Sequence, residues 1–343
     1  VKITWDQVFA WRLGRQFLDR RAAVTAVQVT ERLCGVQAQV ASLAAEAVAV
    51  RQARPEDPAG ALASGELVRT WAMRGTLHLM TPEQARACNA LIATAKTWEK
   101  PVWQRSFVTT AQMASLIAAA RELLPGRELT REEFVAAAAG SDPELAAQLK
   151  SGWGTVLKPL AWLGLLCHGT TGPGGKVTFT APGWAELPEP EEAARVAIPA
   201  YLGAYGPASM AAFDQWLLRG ALKKKDLRAW FGQDGLTTVD VEGEELFARE
   251  ADLDELAKTK PSTAVRLLPA FDQYVLGPGT ADPHLLDQAH RADVSRAGGW
   301  ISPVVVHAGR VVGTWERTEE GIRTSLWQQV PEKGLEEALQ IAG

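Results

Sequence analysis

The chain has three cysteines in 343 residues, Cys34, Cys88 and Cys167. An odd, scattered set builds no disulfide framework, and it suits a reducing, cytoplasmic compartment. There are five histidines, with no CxxC, no HExxH and no HxE followed by CxxC. The spacings that gather zinc ligands are therefore missing, and neither a metal nor another cofactor is expected. The adjacent pair Cys167-His168 reads as a helix end packing on a β-hairpin. Long apolar runs are missing too: residues 160–166 are far too short to span a bilayer, and the opening residues lack the apolar stretch of a secretory signal. Gly172-Pro173-Gly174-Gly175 lacks the Lys-Ser/Thr ending of a phosphate loop and precedes a strand, so it reads as a turn. No GxSxG occurs, which disfavours an α/β-hydrolase. Positive charge is in deficit, 36 Lys and Arg against 40 Asp and Glu. Any nucleic acid would have to be held by local basic patches rather than by a global field.

What is present is a core: 47% of residues are hydrophobic and 22% charged, as in ordinary globular proteins. The length calls for more than one module. Helical spacing of Phe9, Leu13 and Phe17 opens the first region. A helix over 27–33 ends at Gly35, and another runs over 42–51. Residues 67–73 are predicted as a helix and 75–80 as a strand, after which Thr81 caps a helix with Pro82 in its first turn. The middle region reads as helices over 111–124, from Thr130 (whose capping box is completed by Glu133) and over 144–166 with a kink near Pro159, followed by a hairpin through 167–179. Three helices and a hairpin is the winged helix-turn-helix order. It returns from residue 191, with helices to 205, over 210–217 and over 223–231, then strands 236–241 and 245–248. The remainder is β-rich, with strands at 265–268, a hairpin over 302–314 turned at 307–310, a strand over 323–327 and a terminal helix over 332–341. The fold class expected is mainly α with β-hairpins (α+β). It comprises three tandem winged-helix modules, 1–108, 109–188 and 189–260, and a C-terminal segment, 261–343.

Candidate DNA contacts follow from the basic residues. Lys223, Lys224 and Lys225, with Arg219 and Arg228, concentrate charge at the start of a third helix, the element that enters the major groove in winged helices; a solvated helix face is the alternative. Arg69 and Arg74 bracket a helix end in the first module, and Lys158 lies in another third helix. Most of the 13 tryptophans, among them Trp11, Trp71, Trp153 and Trp162, sit among apolar neighbours and read as core. Gln37-Ala38-Gln39 is short, but in extended chain its two carboxamides point the same way. Two such groups can bind and orient water and stabilise an electron-poor sugar, though neither is a strong base. The alternative is that both satisfy backbone groups at a helix boundary. Asp272 is a reserve candidate for a base.

Three segments, 33–39 (LCGVQAQ), 69–79 (RTWAMRGTLHL) and 267–277 (LLPAFDQYVLG), resemble the AlkZ-like winged-helix DNA glycosylase family, and the likeness extends over nearly the whole chain. The resemblance implies winged helices arranged about a concave DNA channel, with Gln37 and Gln39 as the catalytic pair inside it. It implies hydrolysis of the N-glycosidic bond of N7-alkylated purines and the unhooking of interstrand crosslinks of the azinomycin B type, hence self-resistance. The partner is double-stranded DNA carrying such lesions, met by a monomer. Relatives with Gln-hydrophobic-Asp accept broader substrates, and Gln39 places this chain in the narrower branch. The family's DNA-engaging hairpin falls at 304–314, with Arg310 near its tip. A winged-helix transcriptional regulator is the rival reading; the charge-poor third helix of the middle module weakens it.

Overall fold

The structure is a computed structural model and describes residues 2–150, 154–170, 175–184 and 186–342. Its helices outweigh its strands, 48% against 18%, and its strands form three sheets. Helix starts are fixed by local chemistry. Thr4, Thr25, Thr109 and Thr130 each cap a helix in a box closed by the residue three positions on, so that two otherwise unpaired N–H groups are satisfied at each start. Thr81 caps Pro82–Ala93 with proline in the first turn.

Phe17 (φ 57°) lies beyond the end of the helix Trp5–Arg15 in which its spacing placed it, and two further segments differ from the sequence reading. Residues 67–73 are not a helix: Val68–Trp71 is a strand, paired antiparallel with Leu77–Met80. Leu67 and Trp71 have helical spacing, but Val68 and Thr70 are β-branched, and Arg74 (φ 57°) and Gly75 (φ 71°) turn the chain back into a hairpin. The predicted helix over 144–166 is two helices, Pro143–Lys150 and Lys158–Trp162. Pro159 lies in the first turn of the second, where its missing N–H costs nothing, and so begins a helix rather than kinking one. Of the predicted turn at 172–175, residues 172–174 lie outside the described residues, but its flanking strands, Cys167–His168 and Thr178–Thr180, pair as expected.

The hairpins of the first and middle regions are one sheet. Its six strands run in the order Val36–Gln37, Leu77–Met80, Val68–Trp71, Cys167–His168, Thr178–Thr180, Glu128–Thr130, and the two halves meet through the pair Arg69 and His168. A second sheet adds Lys2–Ile3, in parallel, to the hairpin of Leu236–Val241 and Glu244–Arg249. The helix that follows, Trp5–Arg15, packs Val8, Phe9 and Leu13 into a core shared with Tyr274, Leu286 and Val304. The third sheet holds Val265–Leu268, Val304–His307, Arg310–Thr318 and Gly321–Leu326, with the helix Glu332–Ala342 packed on its Val265 and Leu267. The hairpin turned at 307–310 is present, and its second strand runs on to Thr318 to make a further, more exposed hairpin with Gly321–Leu326. No helix among the described residues is long and apolar enough to cross a membrane.

A buried ion pair ties the first region to the C-terminal segment. Arg51 and Asp272 are both fully buried, and the guanidinium spans the carboxylate at 2.7 Å to each oxygen. Arg51 also donates to the Ala47 carbonyl at 2.6 Å, while Asp272 Oδ1 accepts from the Tyr274 N–H at 2.8 Å. Asp272 is thus a structural anion rather than the reserve base. Removing one partner strands the other charge out of water, so Asp272→Ala is expected to lower stability by about 3–5 kcal/mol. Replacing both residues by apolar ones of similar size should lose less; urea unfolding of the two variants checks the order.

Candidate active site and nucleic-acid interface

The Gln-Ala-Gln segment sits where a helix turns directly into a sheet. Helix Ala26–Arg32 ends at Leu33, and Cys34 (φ 50°) and Gly35 (φ 100°) reverse the chain. A Cβ on Gly35 would stand 3.0 Å from the Met73 methyl and 3.1 Å from Met80 Cγ, so both conformation and space demand glycine. Val36–Gln37 then pairs with Leu79 and His78, and the Ala38 N–H donates to the Leu77 carbonyl at 2.7 Å. Val36 and Ala38 are buried with Val29, Leu33 and Leu79. The two glutamines lie at different depths. Gln37 is 8% exposed, and its Oε1 is buried without a partner; Gln39 is exposed, and its Oε1 accepts from the Leu77 N–H at 3.4 Å.

Gln37 faces His78 across the strands, whereas His168 lies in the neighbouring row, with Val36, Leu79 and Arg69, on the other face of the sheet. His78, its partner across the strands, is fully buried; burial first, and the charge of Arg74 second, press its pKa down to about 3. His168 is pressed to about 3 by burial and then by Arg69 and Arg131, and neither of its ring nitrogens is hydrogen-bonded. It packs edge-on against Trp71 and Phe179. Arg69 is itself lowered by burial.

Of the predicted basic contacts, the structure brings Arg74 and Lys158 together and adds Arg219. A Cβ on Gly75 would lie 3.6 Å from Lys158 Nζ. Burial lowers Arg74 to about 10, with Arg219 contributing, and Lys158 is lowered by burial and then by Arg219. Arg74 is anchored by donation to the carbonyls of Trp216 at 3.1 Å and Leu276 at 3.3 Å. It opens on a cleft of about 690 Å³ that Arg12, Tyr201, Trp216, Arg219 and Arg291 also line. Glu244 and Asp282 line the same cleft and balance part of this positive charge. Lys223, Lys224 and Lys225 are elsewhere, fully exposed at the start of Lys224–Phe231, whose buried face is Leu227, Trp230 and Phe231. Arg310 pairs with Asp6 at 2.7 Å and lies over the Phe9 ring. The sequence reading gave no role to His78 or Arg12, and it had the strand over 323–327 without its pairing to Arg310–Thr318. For His78 the alternation of 77–80 was the available signal. Among the described residues no group of three or more His, Cys, Asp or Glu could hold a metal.

The depressed histidines make stability fall with acid. Their folded values lie near 3 and the ordinary value is 6.5, so between these limits the unfolded chain binds more protons. The stability is present above about pH 6.5 and drains away as pH falls toward 3, by about 2 kcal/mol for each histidine between pH 7 and 5. Urea unfolding at the two pH values should show this loss, and His168→Phe should remove about half of it; a variant with the full loss would contradict it.

Comparison with known proteins gives the family of the chain. The chain is 48% identical, over 100% of its length and 96% of the relative's, to an interstrand DNA cross-link repair glycosylase of Streptomyces sahachiroi. The solved structure of the Streptomyces sahachiroi DNA glycosylase AlkZ matches with a TM-score of 0.95 and 46% identity, covering 99% of this chain and 96% of that one. The family description "DNA glycosylase AlkZ-like" matches residues 30–340. The chain therefore belongs to the AlkZ-like DNA glycosylase family.

Proposed function

We propose that the protein hydrolyses the N-glycosidic bond of N7-alkylated purines in duplex DNA and unhooks interstrand crosslinks of the azinomycin B type, with Gln37 and Gln39 as its catalytic pair. The observation that carries this reading is the placement of two neutral carboxamides, one buried and one at the surface, on a segment fixed at both ends by the Gly35 turn and the Ala38–Leu77 hydrogen bond. A purine alkylated at N7 is already cationic and leaves without a general acid. The sugar passes through an oxocarbenium-like state, which amide oxygens stabilise and from which an oriented water is captured. Neutral amides give too little help to expel an unmodified base, so selectivity comes from the leaving group. A crosslinked base is tethered to the opposite strand and cannot swing freely into a deep pocket. A site one side chain deep suits it.

Three winged-helix modules, 1–108, 109–188 and 189–260, with the segment 261–343, would form a concave channel for the duplex. Arg69, Arg74, Lys158 and the exposed Lys223, Lys224 and Lys225 would meet phosphates, and Arg310 would do so on exchanging Asp6 for a phosphate oxygen. The shared sheet and the Arg74–Lys158–Arg219 cluster support this arrangement.

Replacing Gln37 and Gln39 together by Ala should reduce release of N7-methylguanine by a factor on the order of 10²–10³ or more, with folding and DNA affinity retained; full activity in the double variant would end the assignment. Offered in the same duplex context, uracil and hypoxanthine should stay attached, because they are neutral and poorer leaving groups. Efficient uracil release would mean that an acid–base pair operates. Neutralising Lys223, Lys224 and Lys225 should flatten the salt dependence of DNA binding by a slope of about one per lost phosphate contact. An unchanged slope would return these lysines to a solvated face.

A further inference from the structure

Strand pairing sets Gln37, His78 and Thr70 in a single row, with Gln37 opposite His78 and His78 opposite Thr70. Residues directly opposed on antiparallel strands project from the same face, with Cβ atoms about 4.5–5.5 Å apart. All three side chains are buried, and each carries an atom without a hydrogen-bond partner: Gln37 Oε1, His78 Nε2 and Thr70 Oγ1. Buried polar atoms are as a rule paired, so three orphans in one row call for an account.

The imidazole decides the sense of the row. Its Nδ1 lies 3.0 Å from the Thr76 carbonyl oxygen, which only accepts. Nδ1 therefore carries the proton, and Nε2 presents a bare lone pair. Burial keeps the ring neutral at physiological pH. Gln37 and His78 are not hydrogen-bonded to each other as they stand; a turn of the Gln37 side chain that carries its NH2 to this lone pair pairs Nε2 and leaves the amide oxygen on the other side. The Thr70 hydroxyl can donate or accept and follows whichever sense the ring imposes.

We propose that His78 is a positioning residue for Gln37: its Nε2 takes the inward N–H of the carboxamide and so turns the carbonyl oxygen outward, toward the approaching water and sugar. The inference rests on the catalytic role proposed above for Gln37. An outward oxygen accepts a hydrogen from the attacking water and presents partial negative charge to the developing oxocarbenium; an outward NH2 would oppose both.

The test is single-turnover release of N7-methylguanine by the full-length protein. His78→Phe should slow release by a factor on the order of 10–100, His78→Gln, which restores an acceptor, should recover most of it, and His78→Phe should have no further effect in a Gln37→Ala background. Equal slowing in both backgrounds, no slowing by Phe, or no recovery by Gln overturns the proposal. Loss of activity in Gln37→Ala with an inert His78→Phe sinks this inference alone; unchanged activity in Gln37→Ala sinks the proposed role of Gln37 and this inference with it. Should His78→Phe fail to fold, nitrogen NMR of ¹⁵N-histidine-labelled wild-type protein decides: a neutral ring protonated at Nδ1 is expected, and protonation at Nε2 overturns the proposal.

Discussion

The pairing of Arg51 with Asp272 holds two distant parts of the chain in one frame. Neither group touches solvent, and each leaves the other a buried charge if removed. Because Arg51 follows the helix Ala41–Ala49 and Asp272 caps the short helix Gln273–Leu276, the bridge fixes the segment after Gln39 against the C-terminal segment. Gln16, whose Oε1 faces Arg51 Nη2 at 3.4 Å, brings the N-terminal helix into the same knot. The two-residue strand of Gln37 is held locally by its pairing with Leu77–Met80 and by the packing of Val36 and Ala38.

Charge is divided by depth. Buried Arg51 is paired with Asp272 and buried Arg12 is bonded to the Gly206 and Pro207 carbonyls, whereas the row that holds Gln37 is amide, imidazole and hydroxyl. Cations gather in two other places, at Arg74, Lys158 and Arg219 on one side and at the exposed Lys223 to Lys225 on another. Such a division suits a polyanion whose phosphates are gripped at the rim while a cationic base departs from a neutral floor. On the role proposed for Gln37, a fixed carboxylic acid beside it would widen the range of bases expelled.

Local chemistry in this chain is legible. The caps at Thr81 and Thr130, the turn at 307–310 and the break at Gly35 follow from residues within four positions of each other. What depends on distant partners is not. Leu67 and Trp71 satisfy a helical period as well as a strand, and only the left-handed Arg74 and the pairing with Leu77–Met80 decide between them. Arg310 looks free at a turn, but its counterion Asp6 lies 304 positions away. Gln37 and Gln39 share a face in an ideal extended chain. Only two residues of that chain are strand, and the bend at Gln39 sends the second amide to the surface. The family likeness supplied what periodicity could not, because it carries long-range arrangement in a short string of letters.

The strand holding Gln37 repeats every two residues, and its parity is fixed by the Gly35 turn on one side and the Ala38–Leu77 hydrogen bond on the other. Adding or deleting one residue between Gly35 and Gln37 would exchange inside for outside and put Val36 or Ala38 where Gln37 belongs. Exchanging one side chain for another leaves that parity intact. A substitution in this segment changes the chemistry it presents and keeps its geometry, whereas a change of length alters both.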